Sequence, residues 1–397
     1  MTEPLLADPA PTAHHHAWSA WADERNDTVR AAGQWRRPRA FDAAGPTGRL
    51  IEADRDVVSF ASNDYLGLTR HPAAIRAAHD ALDRWGTGSG AARLIVGNRP
   101  VHDELEATLA SWRRQSAAQL YPTGFMANLG VLATLAGPDV RICSDELNHA
   151  SIIDGARLAR ANGAELCIYR HNDLDHLDEL LADAPDRTIV VSDSVFSMDG
   201  DLADVSGLLE RCGAAQALLV LDEAHAVLGP PVPDDTGVTV LRVGTLSKAL
   251  GSQGGYVAGP QALIDVLVNR SRPSIFTTGL APADAAAALA SLHVVTSSEG
   301  DRLRARLRAT IDRLSPGWPS PILPLVIGDE AAAVAAADQL LGRGLWVPAI
   351  RPPTVAPGTS RLRIALSAAH TDEHIDELLA ALDDLGLRLP ASEEARR

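Results

Sequence analysis

Lys248 is the residue of this chain best suited to covalent chemistry. Lysine and arginine together number 36, and Lys248 is the one lysine among them. A bias toward arginine accounts for the missing lysines, since arginine replaces lysine on a solvated surface. It does not account for the one retained. A guanidinium stays protonated and forms no imine, whereas a desolvated primary amine serves as nucleophile and base. Lys248 closes the run Gly244-Thr245-Leu246-Ser247-Lys248. Thr245 on the same turn suits a phosphate contact, and Gly251, Gly254 and Gly255 just beyond let backbone approach a ligand closely.

Four other short runs carry compatible groups. Residues 219–225 read as a buried strand ending in Asp222, Glu223, Ala224 and His225. The ordinary reading of such an aspartate is a helix cap. The chemical reading pairs Asp222 with a protonated ring nitrogen, which turns the ring into an electron sink. In Tyr121-Pro122-Thr123-Gly124-Phe125, the last two residues open a helix whose free amides and dipole favour a phosphate. His149 follows Asp145-Glu146-Leu147-Asn148, where an imidazole can stack on a flat ring. The run 194–200 adds the hydroxyl of Ser197.

The elements that must position these groups alternate between β-branched runs and Ala/Leu-rich helical patterns. Strands are expected over 117–121, 140–143, 166–169, 189–192, 218–221, 238–243 and 255–258. Helices, among them 100–113, 125–135 and 151–161, lie between. This pattern predicts an α/β fold with a mostly parallel central sheet, whose ligands sit at the carboxyl ends of the strands. A long helical stretch is expected from 282 to about 314, and a small α+β unit over 322–389. The predicted organisation is an N-terminal arm (1–56) with a helix over 18–30 and a basic stretch at 34–39, a large domain (57–290), and a C-terminal domain (291–397) that includes the linking helix.

Composition excludes several classes. The net charge of −15 disfavours nucleic acid and anionic membranes as partners. No apolar run nears the roughly 18 residues of a membrane span. The N-terminus lacks a signal pattern, and Cys143, Cys167 and Cys212 fit neither a disulfide framework nor a zinc site, so a cytoplasmic protein is expected. His14-His15-His16 are adjacent and rarely close a coordination shell, so no metal site is expected.

Together these runs, with Ser62-Asn63-Asp64-Tyr65-Leu66-Gly67-Leu68, Gly86-Thr87-Gly88-Ser89-Gly90 and Ile275-Phe276-Thr277-Thr278, resemble the α-oxoamine synthases. These are fold-type I pyridoxal-phosphate enzymes. The resemblance runs from about Val57 to Leu379. Residues 350–355 and 358–363 are most similar to the branch of that family in biotin biosynthesis. That branch condenses L-alanine with a pimeloyl thioester, on CoA or on an acyl-carrier protein, with loss of CO2.

The resemblance implies roles for particular residues. Lys248 would hold pyridoxal 5'-phosphate as an imine and exchange protons with the substrate's α-carbon. Asp222 would partner the pyridine nitrogen, His225 face the ring hydroxyl, and His149 stack on the ring and meet substrate. Gly124, Phe125, Ser197 and Thr245 would surround the cofactor, largely at its phosphate end. Thr277 and Thr278 would reach a neighbouring subunit's phosphate, implying a homodimer with shared sites. Arg363 would clamp the amino-acid carboxylate. Asn63, Thr354 and an N-terminal arginine would contact substrate; Arg36 is chosen over Arg37 and Arg39. Two departures affect loop shape: residues 226–231 are shorter than the family's glycine-rich segment, and Ala91-Ala92 replace a glycine run. Family members that use another amino acid or acyl donor share the chemistry: glycine C-acetyltransferase, 5-aminolevulinate synthase and serine palmitoyltransferase. A cofactor-binding regulator would need a DNA-binding module, for which the arm is too short.

Overall fold

A computed structural model describes residues 15–233 and 237–391, with only the backbone of His15. His14 and the side chain of His15 lie outside the described residues, so the triple-histidine run is not assessed as a unit. The strands are β1 (Phe41–Ala43), β2 (Thr47–Leu50), β3 (Arg55–Ser59), β4 (Ala117–Tyr121), β5 (Arg141–Asp145), β6 (Glu165–Tyr169), β7 (Thr188–Asp193), β8 (Leu218–Asp222), β9 (Val240–Thr245), β10 (Gly255–Gly259), β11 (Ile322–Gly328), β12 (Leu345–Trp346), β13 (Ala349–Ile350) and β14 (Ser360–Ala365).

Seven strands form the central sheet in the order β4-β10-β9-β8-β7-β5-β6. The pairs β9–β8, β8–β7, β7–β5 and β5–β6 are parallel, while β10 runs antiparallel to both β9 and β4. The sheet is therefore mostly parallel, as expected. A parallel sheet is covered on both faces, which requires apolar residues in both registers. Strand β7 shows this directly: Ile189 and Val191 join one core with helices Gly124–Leu135 and Ala150–Ala161, and Val190 joins the other beside helix Val205–Ala215.

The observed strands extend beyond the expected ones mainly at their carboxyl ends, where Asp145, Asp193, Asp222 and Thr245 are the last strand residues. The expected helix from 282 to 314 is two helices, Pro282–Val295 and Ser298–Leu314. The break has a local cause: the Ser297 side chain accepts from Glu299 N–H and restarts the ladder as an N-cap. Gly300 fits because a Cβ there would stand 2.3 Å from the Val295 carbonyl.

The expected arm boundary at 56/57 falls inside β3. That strand pairs antiparallel with β2 and parallel with β12, so the arm's hairpin and the C-terminal segment share one sheet, β1-β2-β3-β12. A second small sheet, β11-β14-β13, is antiparallel. The arm helix spans His15–Ala31, a little longer than expected. Among the described residues, no helix is long and apolar enough to cross a membrane.

Candidate active site

The carboxyl ends of β5, β7, β8 and β9 meet the start of helix Gly124–Leu135 around a cavity of ≈ 210 Å³. Thr123, Gly124, Phe125, Asn128, His149, Asp193, Asp222, His225, Thr245, Ser247 and Lys248 line it. Local structure explains each placement. Thr123 caps the helix by accepting from Met126 N–H, which leaves the first amides of the helix directed outward. Gly124 passes close to β9: a Cβ there would lie 3.3 Å from Thr245 Cβ. At Gly255 a Cβ would lie 2.5 Å from Gly124 N, so only glycine permits this approach. The Thr245 hydroxyl lies 2.7 Å from Ser247 Oγ and donates to Gly254 O, which gathers two hydroxyls beside the free amides. This end of the cavity is built for a phosphate.

The other end holds a carboxylate. Asp222 Oδ2 accepts from Asn128 Nδ2 at 2.6 Å, and its Oδ1 accepts from Ala224 N–H at 2.8 Å. Asn128 also reaches Ser151 Oγ at 2.9 Å, while its own Oδ1 is buried without a partner. His149 caps helix Ala150–Ala161: its Nδ1 accepts from Ser151 N–H and lies 2.7 Å from Ser151 Oγ. The ring is thereby fixed, with its proton on Nε2. Its backbone N–H donates to Asp193 Oδ2 at 2.7 Å. Phe125 stands edge-on to the His149 ring, with centroids 6.4 Å apart.

Between the two ends, Lys248 Nζ lies 2.7 Å from His225 Nε2. Burial lowers the Lys248 pKa to about 8, against opposition from Asp222 and Asp193. Burial, reinforced by Lys248 and Arg363, holds His225 well below the usual imidazole range. His149 is lowered by burial, with Asp222 opposing and Lys248 adding to the shift. Asp193 is pushed well above the usual carboxylate range by its burial and by the neighbouring Asp222. The site thus gathers neutral nitrogen bases around one carboxylate pair, a combination that suits proton transfer near neutral pH.

The expected residues fall into four places. Lys248, His149, Asp222, His225, Gly124, Phe125 and Thr245 share the cavity. Asn63 and Arg363 stand behind it: Arg363 donates from Nη2 to Asn63 Oδ1 at 3.2 Å and from Nε to the Ser197 carbonyl at 2.6 Å. Ser197 is thus tied to Arg363 through its backbone and does not line the cavity. Arg36 and Thr354 lie apart, in a groove of ≈ 720 Å³ that Arg37 and Arg39 also line. Arg36 donates to Pro352 O at 3.1 Å. Thr277 is half-buried and Thr278 exposed, both outside the cavity.

Sequence reasoning assigned nothing to Asn128, Asp193, Ser151, Ser247 or Tyr65. Tyr65 and Ser247 stood within runs already singled out. Asp193 directly precedes the Ser194 run. Their signal was position at a strand or helix end, which does not reveal a partner on another element.

The fold and cavity agree with the comparisons to known proteins. The family model for aminotransferase class I and II matches residues 55–382. The 8-amino-7-oxononanoate synthase of Anaeromyxobacter sp. (strain K) is 47% identical over 377 residues, covering 90% of this chain and 94% of that protein. The protein of the same name from Bordetella petrii is 46% identical over 373 residues, covering 88% and 93%. Among solved structures, serine palmitoyltransferase from S. paucimobilis with bound PLP-myriocin aldimine superimposes with a TM-score of 0.85 at 27% identity, covering 93% of this chain and 98% of that one. The 8-amino-7-oxononanoate synthase of Francisella tularensis gives a TM-score of 0.68 at 25% identity, covering 83% and 98%. The fold is the fold-type I α/β arrangement, and the chain belongs to the class I and II aminotransferase family, within its 8-amino-7-oxononanoate synthase group.

Proposed function

We propose that the chain condenses L-alanine with a pimeloyl thioester, releasing CO2 and the free carrier and forming 8-amino-7-oxononanoate for biotin biosynthesis. The carrying observation is one half-buried amine, Lys248, set between a phosphate cradle and the Asp222–Asn128 pair. Those residues fit pyridoxal 5'-phosphate: the Gly124 and Phe125 amides with Thr245 and Ser247 would hold its phosphate, Asp222 its ring nitrogen, and His149 its face. When bound, that cofactor supplies an aldehyde for amine capture and a ring that withdraws electrons.

The chain's own residues supply the rest. Arg363 binds the alanine carboxylate with a bidentate guanidinium, and Asn63 and Ser197 O hold that guanidinium in place. Lys248 takes the α-proton of alanine and later returns one to the product's α-carbon. Its lowered pKa makes the free amine available near neutral pH. His225 and His149 orient the cofactor from two sides, and burial favours the neutral form of both imidazoles. Arg36 and Thr354 contact the acyl donor from their separate groove. The enzyme works as a cytoplasmic homodimer in which Thr277 and Thr278 of one subunit complete the other's site. Their position away from their own cavity, with Thr278 exposed, supports this. The donor is pimeloyl-CoA or pimeloyl-carrier protein.

Product analysis tests the proposal. The protein is incubated with pyridoxal 5'-phosphate, with alanine, glycine or serine, and with either pimeloyl thioester or palmitoyl-CoA as the acyl donor. Mass spectrometry is expected to find 8-amino-7-oxononanoate with alanine alone. Turnover of serine with palmitoyl-CoA, and none of alanine with either pimeloyl donor, would overturn it.

A further inference from the structure

A chain of buried and half-buried hydrogen bonds joins Arg363 to Lys248, and Tyr65 stands at its centre with no exposed surface. Tyr65 Oη lies 2.6 Å from His225 Nδ1 and 3.1 Å from Asn63 Oδ1. The Arg363 guanidinium acts electrostatically on the same hydroxyl and donates from Nη2 to Asn63 Oδ1. On the other side of the imidazole, His225 Nε2 lies 2.7 Å from Lys248 Nζ. Each ring nitrogen of His225 therefore has its own partner.

Proton counting assigns the direction. A neutral imidazole carries one N–H, and a phenol carries one O–H. The Tyr65 proton has two acceptors within reach, and His225 Nδ1 is both the nearer and the more basic. Asn63 Oδ1 already receives Arg363. With the Tyr65 proton directed at Nδ1, the imidazole's own proton must sit on Nε2, aimed at Lys248. An Nε2–H can donate only to the lone pair of an unprotonated amine.

We propose that Tyr65 is a positioning residue: its hydroxyl, polarised by Arg363, fixes His225 as the Nε2–H tautomer and so aims a hydrogen-bond donor at the group that faces Nε2. The inference rests on the Lys248 cavity being the reactive centre, but not on the identity of the acyl donor. It couples two ends of the site. A substrate carboxylate on Arg363 offsets the positive charge that polarises Tyr65, so carboxylate binding is felt at Lys248. The charged or titratable groups acting on this chain are Arg363, Lys248 and His149 around His225, with Asp222 and Asp193 acting on Lys248. A purely structural Tyr65 would fill space in the core with Leu66 and Leu68, a role phenylalanine preserves.

Two measurements separate these roles. The first is 15N NMR of histidine-labelled protein without cofactor, with the His225 resonances identified by their absence in His225→Gln. At pH ~9, where Lys248 is largely unprotonated, wild-type His225 is expected with a bare Nδ1 and a protonated Nε2; an Nδ1–H tautomer there overturns the proposal, whether or not the protein turns over any substrate. The second uses propionate, a carboxylate with no amine, on the cofactor-loaded protein. Saturating propionate is expected to shift the pKa of the cofactor's visible band by about half a unit or more in wild type. In Tyr65→Phe that shift is expected to vanish, while the propionate Kd stays within about threefold. An undiminished shift in Tyr65→Phe overturns the proposal. If Tyr65→Phe fails to fold, as judged by thermal melting, the wild-type tautomer decides alone.

Discussion

Lys248 combines three properties at one atom: a burial-lowered pKa of about 8, a neutral imidazole at 2.7 Å, and two acidic side chains across the cavity. An amine captures an aldehyde only through its lone pair, so reconstitution with pyridoxal 5'-phosphate depends on the unprotonated fraction. Below pH 8 that fraction falls tenfold per unit; above it, the fraction saturates. The rate of visible-band formation after adding cofactor to bare protein is therefore expected to rise with pH and level off near 8. A profile rising instead toward pH 10.5, the range of a solvated lysine, would show that burial does not set this amine. Lys248→Arg keeps the charge but forms no imine. It is expected to abolish the visible band and to lower turnover by roughly 10²–10⁴-fold or more, measured by absorbance and product yield. A retained band in that variant would move the reactive amine elsewhere, and no other lysine is present.

The next scale is the strand end and the loop that follows it. The loop after β7 carries Ser197, whose carbonyl holds Arg363, and Asp199, which pairs with Arg361. That loop is pinned from beneath by His171, whose Nδ1 lies 3.1 Å from Asp145 Oδ1 and whose Nε2 lies 2.7 Å from Asp201 Oδ2. Burial alone would lower the His171 pKa, but hydrogen bonds to Asp145 and Asp201 outweigh it and push it up to about 10. The folded state thus holds this proton more tightly than an unfolded histidine at about 6.5. Its stabilisation is whole below pH ~6.5 and is lost as the pH rises through ~10. His171→Gln is expected to cost about 2–4 kcal/mol at pH 6 and much less above pH 10, read from denaturant unfolding at both values. An equal cost at both would show that the ring is held by packing. Nothing in the linear spacing of 145, 171 and 201 announced this clamp, because it forms only when β5 and β6 pair side by side. The same reason separates what the chain made legible from what it did not. The alternation of apolar runs exposed all seven central strands, and residues at single strand ends, such as Lys248, Asp222 and His149, could be read from local runs. The partners that tune them, Asn128 against Asp222 and Tyr65 against His225, come from elements 94 and 160 residues away. The Ser297 cap that divides the Ala-rich helix was missed because helical periodicity masks a short polar interruption.

At the scale of the whole molecule, one face is left unpartnered in the isolated chain. Leu94, Ile95, Val96 and Phe276 are 57%, 74%, 66% and 71% exposed, a density of apolar surface that soluble monomers rarely leave open. The turn Arg93–Gly97 and the short helix Arg272–Ile275 pack together. Gly279 N–H donates to Ala91 O, and Ser89 Oγ and His102 Nε2 both bind Leu280 O. These bonds hold Thr277 and Thr278 on the same face as the apolar residues and away from the cavity of their own chain. If that face is where a second copy docks, burying it and completing the neighbour's phosphate cradle are one event. Ile95→Arg is then expected to shift the protein from dimer to monomer in analytical ultracentrifugation. It should also weaken pyridoxal 5'-phosphate by roughly tenfold or more, about 1.4 kcal/mol, although Ile95 lines no part of the cavity. Thr278→Val is the complementary variant. It is expected to weaken the cofactor to a similar degree while leaving the dimer intact, because it removes a hydroxyl and keeps the apolar face. A monomeric Ile95→Arg protein with unchanged cofactor affinity would mean that each chain builds its cradle from Gly124, Phe125, Thr245 and Ser247 alone, and that the apolar face serves assembly without serving the site.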